Sequence, residues 1–302
     1  MTTPFMVIVP KDITDANFVS STIPETDYAV WNAGTAYTLG QRVIMTTGIH
    51  KVYEALASST GVNPSTDTTG KWVLVGPTNR WSMFDTSGGT VSAIAGNTIE
   101  FVFTADRLSS MGFLDVAAST IRIRAAASAT TYYDTTFTLP DRAVILNWYD
   151  YFNAEAFRTS ELIVTDIPPI AGSTYTVTIT NTGGNCSIGS FISGNFTEIG
   201  NTQYGASAGI IDYSVKNVDA FGTSTITKRA FSKRIDVKVH VGNAVIDAVR
   251  AKLNSLRATV CLWAGSSGNY ELLTVYGFYK DYSIDIAYPT YSVLSLQIEG
   301  LI

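Results

Sequence analysis

The sequence predicts a mainly β protein built of several units, and three observations carry that prediction. Thr, Ser, Gly, Tyr and Val dominate the composition, which suits pleated strands joined by turns. Apolar residues come in short alternating runs bounded by Gly or Pro. Only one segment, near residue 250, keeps apolar residues at helical spacing over several turns. The 302 residues leave room for two or three domains at ~100–200 residues each.

Composition also excludes several classes. Hydrophobic residues make up 46% of the chain and charged residues 15%, the opposite of a disordered composition and well below the ~25% charge usual in soluble domains. A charge-poor chain is expected to meet other protein over part of its surface. No run approaches the ~20 apolar residues of a spanning helix, so no membrane insertion is expected. The net charge of -5 argues against broad nucleic-acid binding. It is unevenly spread: residues 1–210 hold 10 basic and 17 acidic residues, net -7, and residues 211–302 hold 10 and 8, net +2. Cys186 and Cys261 sit on opposite sides of that break, outside any CxxC, and read as reduced thiols. Met1–Pro10 has no basic, then long apolar, leader pattern, so folding in a cytoplasm is expected.

In chain order, residues 1–27 read as an N-terminal arm, with one strand at Phe5–Val9, too short to bury its own core and so expected to dock elsewhere. Residues 28–77 form a compact aromatic-and-glycine module with three short strands at Gln41–Met45, His50–Leu56 and Lys71–Val75. Residues 78–210 read as a β-sandwich or jelly roll. Its strands are Thr98–Thr104, Thr120–Arg124, Ala143–Trp148, Glu161–Thr165, Tyr175–Thr180 and Phe191–Ile199. Residues 211–302 read as a small α+β domain. Its helix, capped by Asn243, would bury Val245, Ile246, Val249, Leu253 and Leu256. Its strands are Asp236–Val241, Thr259–Trp263, Glu271–Phe278 and Ser292–Ile298, with a hairpin loop at Gly265–Gly268. Lys228, Arg229, Lys233, Arg234 and Lys238 make a basic stretch, read either as an exposed strand face with protective charges or as a contact for an acidic partner.

Catalytic patterns are not found. His50 and His240 fall in different units, no Ser or Cys sits in a nucleophile elbow, and no HExxH, Walker loop or strand-coupled GxGxxG occurs. No catalytic residue, metal site or cofactor is assigned. Asp281 and Asp285 would share one face of an alternating strand, and a solvated or interfacial role is the simpler reading.

The module carries one specific chemical reading, because sugar rings stack on flat aromatic faces. The order Trp31, Tyr37, Gly40, Val43, Gly48, Tyr53, then Gly61, Pro64, Trp72, resembles the small chitin-binding modules found in bacterial chitinases. Those modules carry a Trp pair after the second Tyr, where this chain has Glu54, Ala55, Leu56 and Ala57. Gln41 also stands where an acidic residue is usual. Trp31, Tyr37, Tyr53 and Trp72 are thus candidates either for carbohydrate binding or for the module's own core.

A wider likeness covers nearly the whole chain. The run Gly76–Asp85, the segment Ile211–Ser214, the helix end Arg257–Thr259 and the C-terminal run Val275–Pro289 leading to Leu296–Leu301 resemble a family of tail proteins of tailed bacteriophages and prophages, often described as carrying a carbohydrate-binding domain. That resemblance implies a virion component near the tail tip or baseplate, assembled with other tail proteins and as a homo-oligomer, with a middle domain similar to galactose-binding-like jelly rolls. It implies a possible host-surface glycan as a further partner. The alternatives are a glycan-binding adhesion protein and, more distantly, a polysaccharide-degrading enzyme.

Overall fold

Strands that alternate apolar and polar residues can bury one face and leave the other in water. A computed structural model describes residues 3–142, 145–153, 157–265, 271–286 and 288–301. Strands make up 52% of it and helices 10%, so the chain is mainly β in a sandwich-like and barrel-like arrangement.

The middle of the chain forms a five-stranded antiparallel sheet in the order Thr130–Thr138, Thr120–Ala127, Ser173–Thr180, Thr98–Ala105, Phe18–Ser21. Its register lines up inward residues in rows: Ile99–Ile179–Ile121, Phe101–Val177–Ile123 and Phe103–Tyr175–Ala125. All nine are buried in one core. Glu100, Arg122 and Arg124 alternate outward, and Arg122 grips Asp134 on the neighbouring strand at 2.7 and 2.6 Å. Facing these rows are Met111, Phe113 and Val116 from Ser110–Ala117, Val164 from Leu162–Val164, and Cys186, Ile188 and Phe191 from Cys186–Thr202.

That second layer does not end with the sandwich. The Cys186–Thr202 strand has 17 residues, on the order of 55 Å of extended chain. Its far half pairs with Thr3–Pro10. Pairing then continues through Cys261–Ala264, Thr274–Asp285, Tyr291–Gly300 and Phe231–Gly242, and Phe231–Gly242 returns to Cys186–Thr202 at Asn201 and Thr202. Six strands therefore close a ring. Alternate residues from every strand fill it: Phe5, Val7, Ile199, Val239, Trp263 and Leu296 are among them. The helix Ile246–Ser255 adds Val249 and Leu253, and Leu256 follows at its end. A third small cluster, Ile8, Ile192 and Leu262, fills the outside of the ring where it meets the sandwich.

The strand at the N-terminus thus docks within the chain, as a central member of the ring. The division drawn between residues 210 and 211 falls inside the Ser207–Asp212 strand. The sandwich and the C-terminal unit have separate cores but share one sheet, because a strand this long can turn its inward face to both.

Several local expectations are corrected. Ala143 and Val144 lie outside the described residues, and the remainder of the predicted strand 143–148 is not a strand: Trp148–Asn153 is helical. The Asn147 side chain accepts the Asp150 N–H at 3.0 Å and Asp150 accepts the Leu146 N–H at 3.1 Å, a reciprocal cap that starts a helix. Asn243 does not cap the C-terminal helix. Its amide donates to the carbonyls of Tyr288 and Pro289, both at 3.0 Å, and its Oδ1 accepts from Ser292 at 2.6 Å, which ties two strand ends together. Val245 is exposed rather than core. The Gly265–Gly268 loop lies outside the described residues beyond Gly265. Both cysteines are fully buried and unpaired, and burial pushes the Cys261 thiol up to about 11.

Residues 28–77 contain the expected three-stranded sheet, Arg42–Met45, Lys51–Ala55 and Trp72–Pro77. Asp67 organises the entry to its last strand. Its carboxylate accepts from the Thr69 hydroxyl at 2.6 Å and from the N–H groups of Thr69, Lys71 and Trp72 at 2.7, 2.7 and 2.8 Å. The Thr69 hydroxyl, with the three N–H donors, holds the carboxyl down at about 2, against an ordinary 3.8. A depressed carboxyl stabilises the fold above its unfolded value, and that contribution is lost as pH falls from about 4 toward 2. Asp67→Asn is therefore expected to speed hydrogen exchange at the Lys71 and Trp72 amides at neutral pH and to remove the pH dependence of that exchange protection between about 4 and 2. Unchanged exchange at both amides would refute this role.

Candidate interaction site

The four candidate sugar-binding aromatics are placed mainly in the module's own core. Tyr37, Tyr53 and Trp72 are buried together with Val43 and Ala55, and Trp31 packs half-buried against them. Tyr37 and Trp72 meet edge to face with ring centroids 5.2 Å apart. The Tyr37 hydroxyl accepts the Asn32 N–H at 2.8 Å, and the Trp72 Nε1–H donates to the Val62 carbonyl at 3.1 Å. Buried in this way, Tyr37, Tyr53 and Trp72 present little open ring surface to a sugar, while Trp31 keeps part of its surface in solvent. The physical reason is size: a three-stranded unit of fifty residues has few other side chains large enough to build a core.

The module is fastened to the rest of the chain through His50. Its Nε2 lies 2.5 Å from Asp15 Oδ1 and its Nδ1 2.8 Å from Glu25 Oε1. Its ring stacks on Trp81 at 4.1 Å with an 18° interplanar angle. Asp15 also accepts the Gly48 N–H at 3.0 Å, and Glu25 accepts from the Thr78 hydroxyl at 2.8 Å. Asp15 and Glu25 belong to the N-terminal 27 residues, so this segment serves as a strap. A cleft of about 240 Å3 lies at this junction, lined by Asp15, His50, Trp81 and Asp85 among others. Burial raises the Asp85 carboxyl above its ordinary value. His240 packs against Tyr291 with centroids 4.6 Å apart. Among the described residues no group of three or more His, Cys, Asp or Glu is arranged to hold a metal ion. No helix there is long and apolar enough to cross a membrane.

The basic stretch does not form one patch on one strand. Lys228 and Arg229 lie in the connection before the Phe231–Gly242 strand, while Lys233, Arg234 and Lys238 are exposed on it. Lys233 is ion-paired with Glu161, and Arg234 with Asp236 at 2.8 Å. The Lys233–Glu161 pair joins the barrel to the sandwich. Lys238 borders a shallow cleft of about 280 Å3 with Asp236, Asp281, Ser295 and Gln297. Asp281 and Asp285 are both exposed on the outer face of their strand, as alternation requires.

Two segments not singled out by residue type each display several exposed large apolar side chains. The first is Ile145–Asn153. Leu146 is 84% exposed and Trp148 80%, and Tyr149, Tyr151 and Phe152 are likewise exposed. The aromatics are ordered against each other: Trp148–Tyr151 centroids are 6.0 Å apart and Tyr151–Phe152 5.1 Å, both edge to face. The second is a ribbon of two strands, Val215–Val218 and Ser224–Thr227, which among the described residues form a two-stranded sheet with each other. Asp219 shapes its tip by accepting the N–H groups of Phe221 at 2.9 Å and Thr223 at 2.8 Å. Phe221 stands at the tip, 94% exposed, with Val218 and Ile226 exposed on the ribbon. The run Trp148-Tyr149-Asp150-Tyr151-Phe152 was the available sequence signal for the first segment, hidden because the same residues also suit a buried strand. Models of protein families, curated proteins and solved structures were each compared with the chain, and none matches it.

Proposed function

We propose that this chain is a structural subunit of a bacteriophage tail tip or baseplate, assembled in the host cytoplasm and carried in the virion with other tail proteins and further copies of itself. In this reading the barrel and the strap of residues 1–27 anchor the subunit. The sandwich, read as a jelly roll similar to galactose-binding domains, and the aromatic module project from it. One observation carries the reading: large apolar side chains are displayed on two ordered appendages, Ile145–Phe152 and the ribbon tipped by Phe221, in a chain with only 15% charged residues. Clusters of exposed apolar side chains on a soluble protein are marks of interaction surfaces, and we read these as contacts with other protein. The resemblance of the Gly76–Asp85 and Val275–Leu301 runs to phage tail proteins supplies the setting. Burial of Tyr37, Tyr53 and Trp72 favours the module as an appended contact domain over a glycan binder.

Antibodies against the purified chain, applied to phage particles induced from the host that encodes it, test the reading by negative-stain electron microscopy. The expected result is label at one end of the tail and co-sedimentation of the chain with intact particles. A chain that stays in the soluble fraction, with unlabelled particles, would refute it.

A further inference from the structure

We infer that the two exposed appendages are the two halves of one head-to-tail contact: the ribbon of one copy of this chain docks on the aromatic segment of a second copy. The inference rests on the assembly reading above and names its partner and its mode.

Four features of the molecule support it. Among the described residues, the large apolar side chains of each appendage are exposed. The ribbon continues the Ser207–Asp212 and Phe231–Gly242 pair through the Tyr213 N–H to Ala230 carbonyl bond. Among the described residues no third strand pairs with it, so it has two strands where three or more are needed for independent stability. Trp148, Tyr149, Tyr151 and Phe152 are all exposed although they sit in an ordered turn of helix. Next, both are held ready. Asp219 fixes the tip that presents Phe221, and the Asn147–Asp150 pair fixes the start of the aromatic helix, so little order must be gained on docking.

The charges are also complementary. Residues 213–230 hold Lys216, Lys228 and Arg229 against Asp219 alone, whereas the only charge in 145–153 is Asp150. The same sign difference runs through the chain, net -7 before residue 211 and net +2 after it. Two ribbons facing each other would bring like charges together, which disfavours a symmetric ribbon-to-ribbon contact. Finally, the area suffices. Each aromatic side chain can bury ~150–250 Å2. Four on one appendage, with Phe221 and its neighbours opposite, reach on the order of 1,000 Å2, the size at which specific interfaces begin.

A contact between two different patches does not close on itself in a pair. It propagates into a ring or an open filament. That property gives a sharp test with the full chain. Phe221→Asp spoils the ribbon and leaves the aromatic segment intact, and Trp148→Asp does the reverse. Both sites are at the surface, so the thermal melt of each variant should match the wild type, which checks folding. Mass photometry and sedimentation velocity, with concentrations up to about 100 µM in the latter, should show wild-type oligomers larger than a dimer. Each variant alone should be monomeric, with self-affinity reduced at least about 100-fold. An equal mixture of the two variants should give a dimer and nothing larger, because one good ribbon can meet one good aromatic segment only once.

A wild-type chain that stays monomeric would overturn the inference. So would a Trp148→Asp variant that still oligomerises, which would point to ribbon-to-ribbon contact, or a mixture that stays monomeric. Tail labelling by antibody is unaffected by these outcomes, so failure of this contact and failure of the tail reading are distinguishable.

Discussion

Gly277→Ala is expected to lower stability by about 3 kcal/mol or more, at the upper end of overpacking effects. Gly277 pairs with Cys261 on one side and with Gly300 on the other, in the middle of the barrel wall. A Cβ built there would fall against the Glu299 carbonyl oxygen, with Gly300 Cα at 2.6 Å and the Glu299 carbonyl carbon at 2.8 Å. All three atoms are backbone, so no side chain can swing aside, and relief requires the two strands to part. Parting them disturbs the Trp263 Nε1–H bond to the Gly277 carbonyl, 3.1 Å long in the buried interior. Gly209→Ala is the matched control. It also lies in a strand, but nothing comes within 4 Å of its Cβ position. Thermal melts should show Gly277→Ala falling by on the order of 6–12 °C, from ~2–4 °C per kcal/mol in proteins of this size, with Gly209→Ala within a degree or two of wild type. Equal melting temperatures would show that the strands can separate here at no cost.

The alternating runs were legible because one rule places them: every second residue faces the core. Ile99, Phe101 and Phe103, predicted as one face, are all buried. Helical spacing, a different period, found the buried side of the C-terminal helix at Val249 and Leu253. Neither period could show that the Cys186–Thr202 strand serves two cores. Its sequence holds glycines at 189, 194 and 200, and the predicted strand covered only Phe191–Ile199. Gly194 and Gly200 have a packing role. A Cβ at Gly194 would fall against the Val9 carbonyl, and one at Gly200 against the His240 carbonyl, so they permit close backbone approach where the ring forms. The ring itself depends on pairings between strands nearly 200 residues apart, such as Phe5 with Gly200. Such register is a tertiary property, absent from any local window.

The exposed apolar segments were not legible in the sequence. Aromatic spacing drew attention instead to Trp31, Tyr37, Tyr53 and Trp72, read as either a carbohydrate-binding set or the module's own core. Regular spacing with glycines, however, is the signature of a small domain that needs those rings for its own core. The exposed aromatics lie at 148–152 instead, where two aromatic pairs flank a single Asp150 and no alternation protects them. Likewise Phe221 sits among Asp219, Gly222 and Thr223, a turn sequence in which a large apolar residue has no local partner. An apolar residue inside a turn is a better guide to an uncovered surface than aromatic content alone.

Phe191→Ala and Trp263→Ala, in different cores, are expected to lower one and the same unfolding transition by about 3–5 kcal/mol each. Phe191 is the hub of the sandwich core. It meets Phe101 at 4.9 Å, Phe113 at 5.2 Å, Phe103 at 5.6 Å and Phe84 at 6.0 Å. Trp263 is the largest side chain buried in the barrel, stacked on Phe5 at 6.1 Å and edge-on to Tyr279 at 6.2 Å. Two cores joined by a linker would melt separately, and each substitution would move only its own step. These cores are joined differently. Phe191 sits on the Cys186–Thr202 strand, and the same strand pairs through Gly194–Thr202 with Thr3–Pro10, which in turn pairs with Cys261–Ala264 around Trp263. Loss of the sandwich frees one end of that strand, and loss of the barrel removes its partners at the other. Ile8, Ile192 and Leu262 add an apolar contact at the join. Calorimetry should therefore give a single peak for wild type and for both variants, shifted down in each variant. Two resolved peaks, with Phe191→Ala moving one and Trp263→Ala the other, would show that the shared strand does not couple the cores.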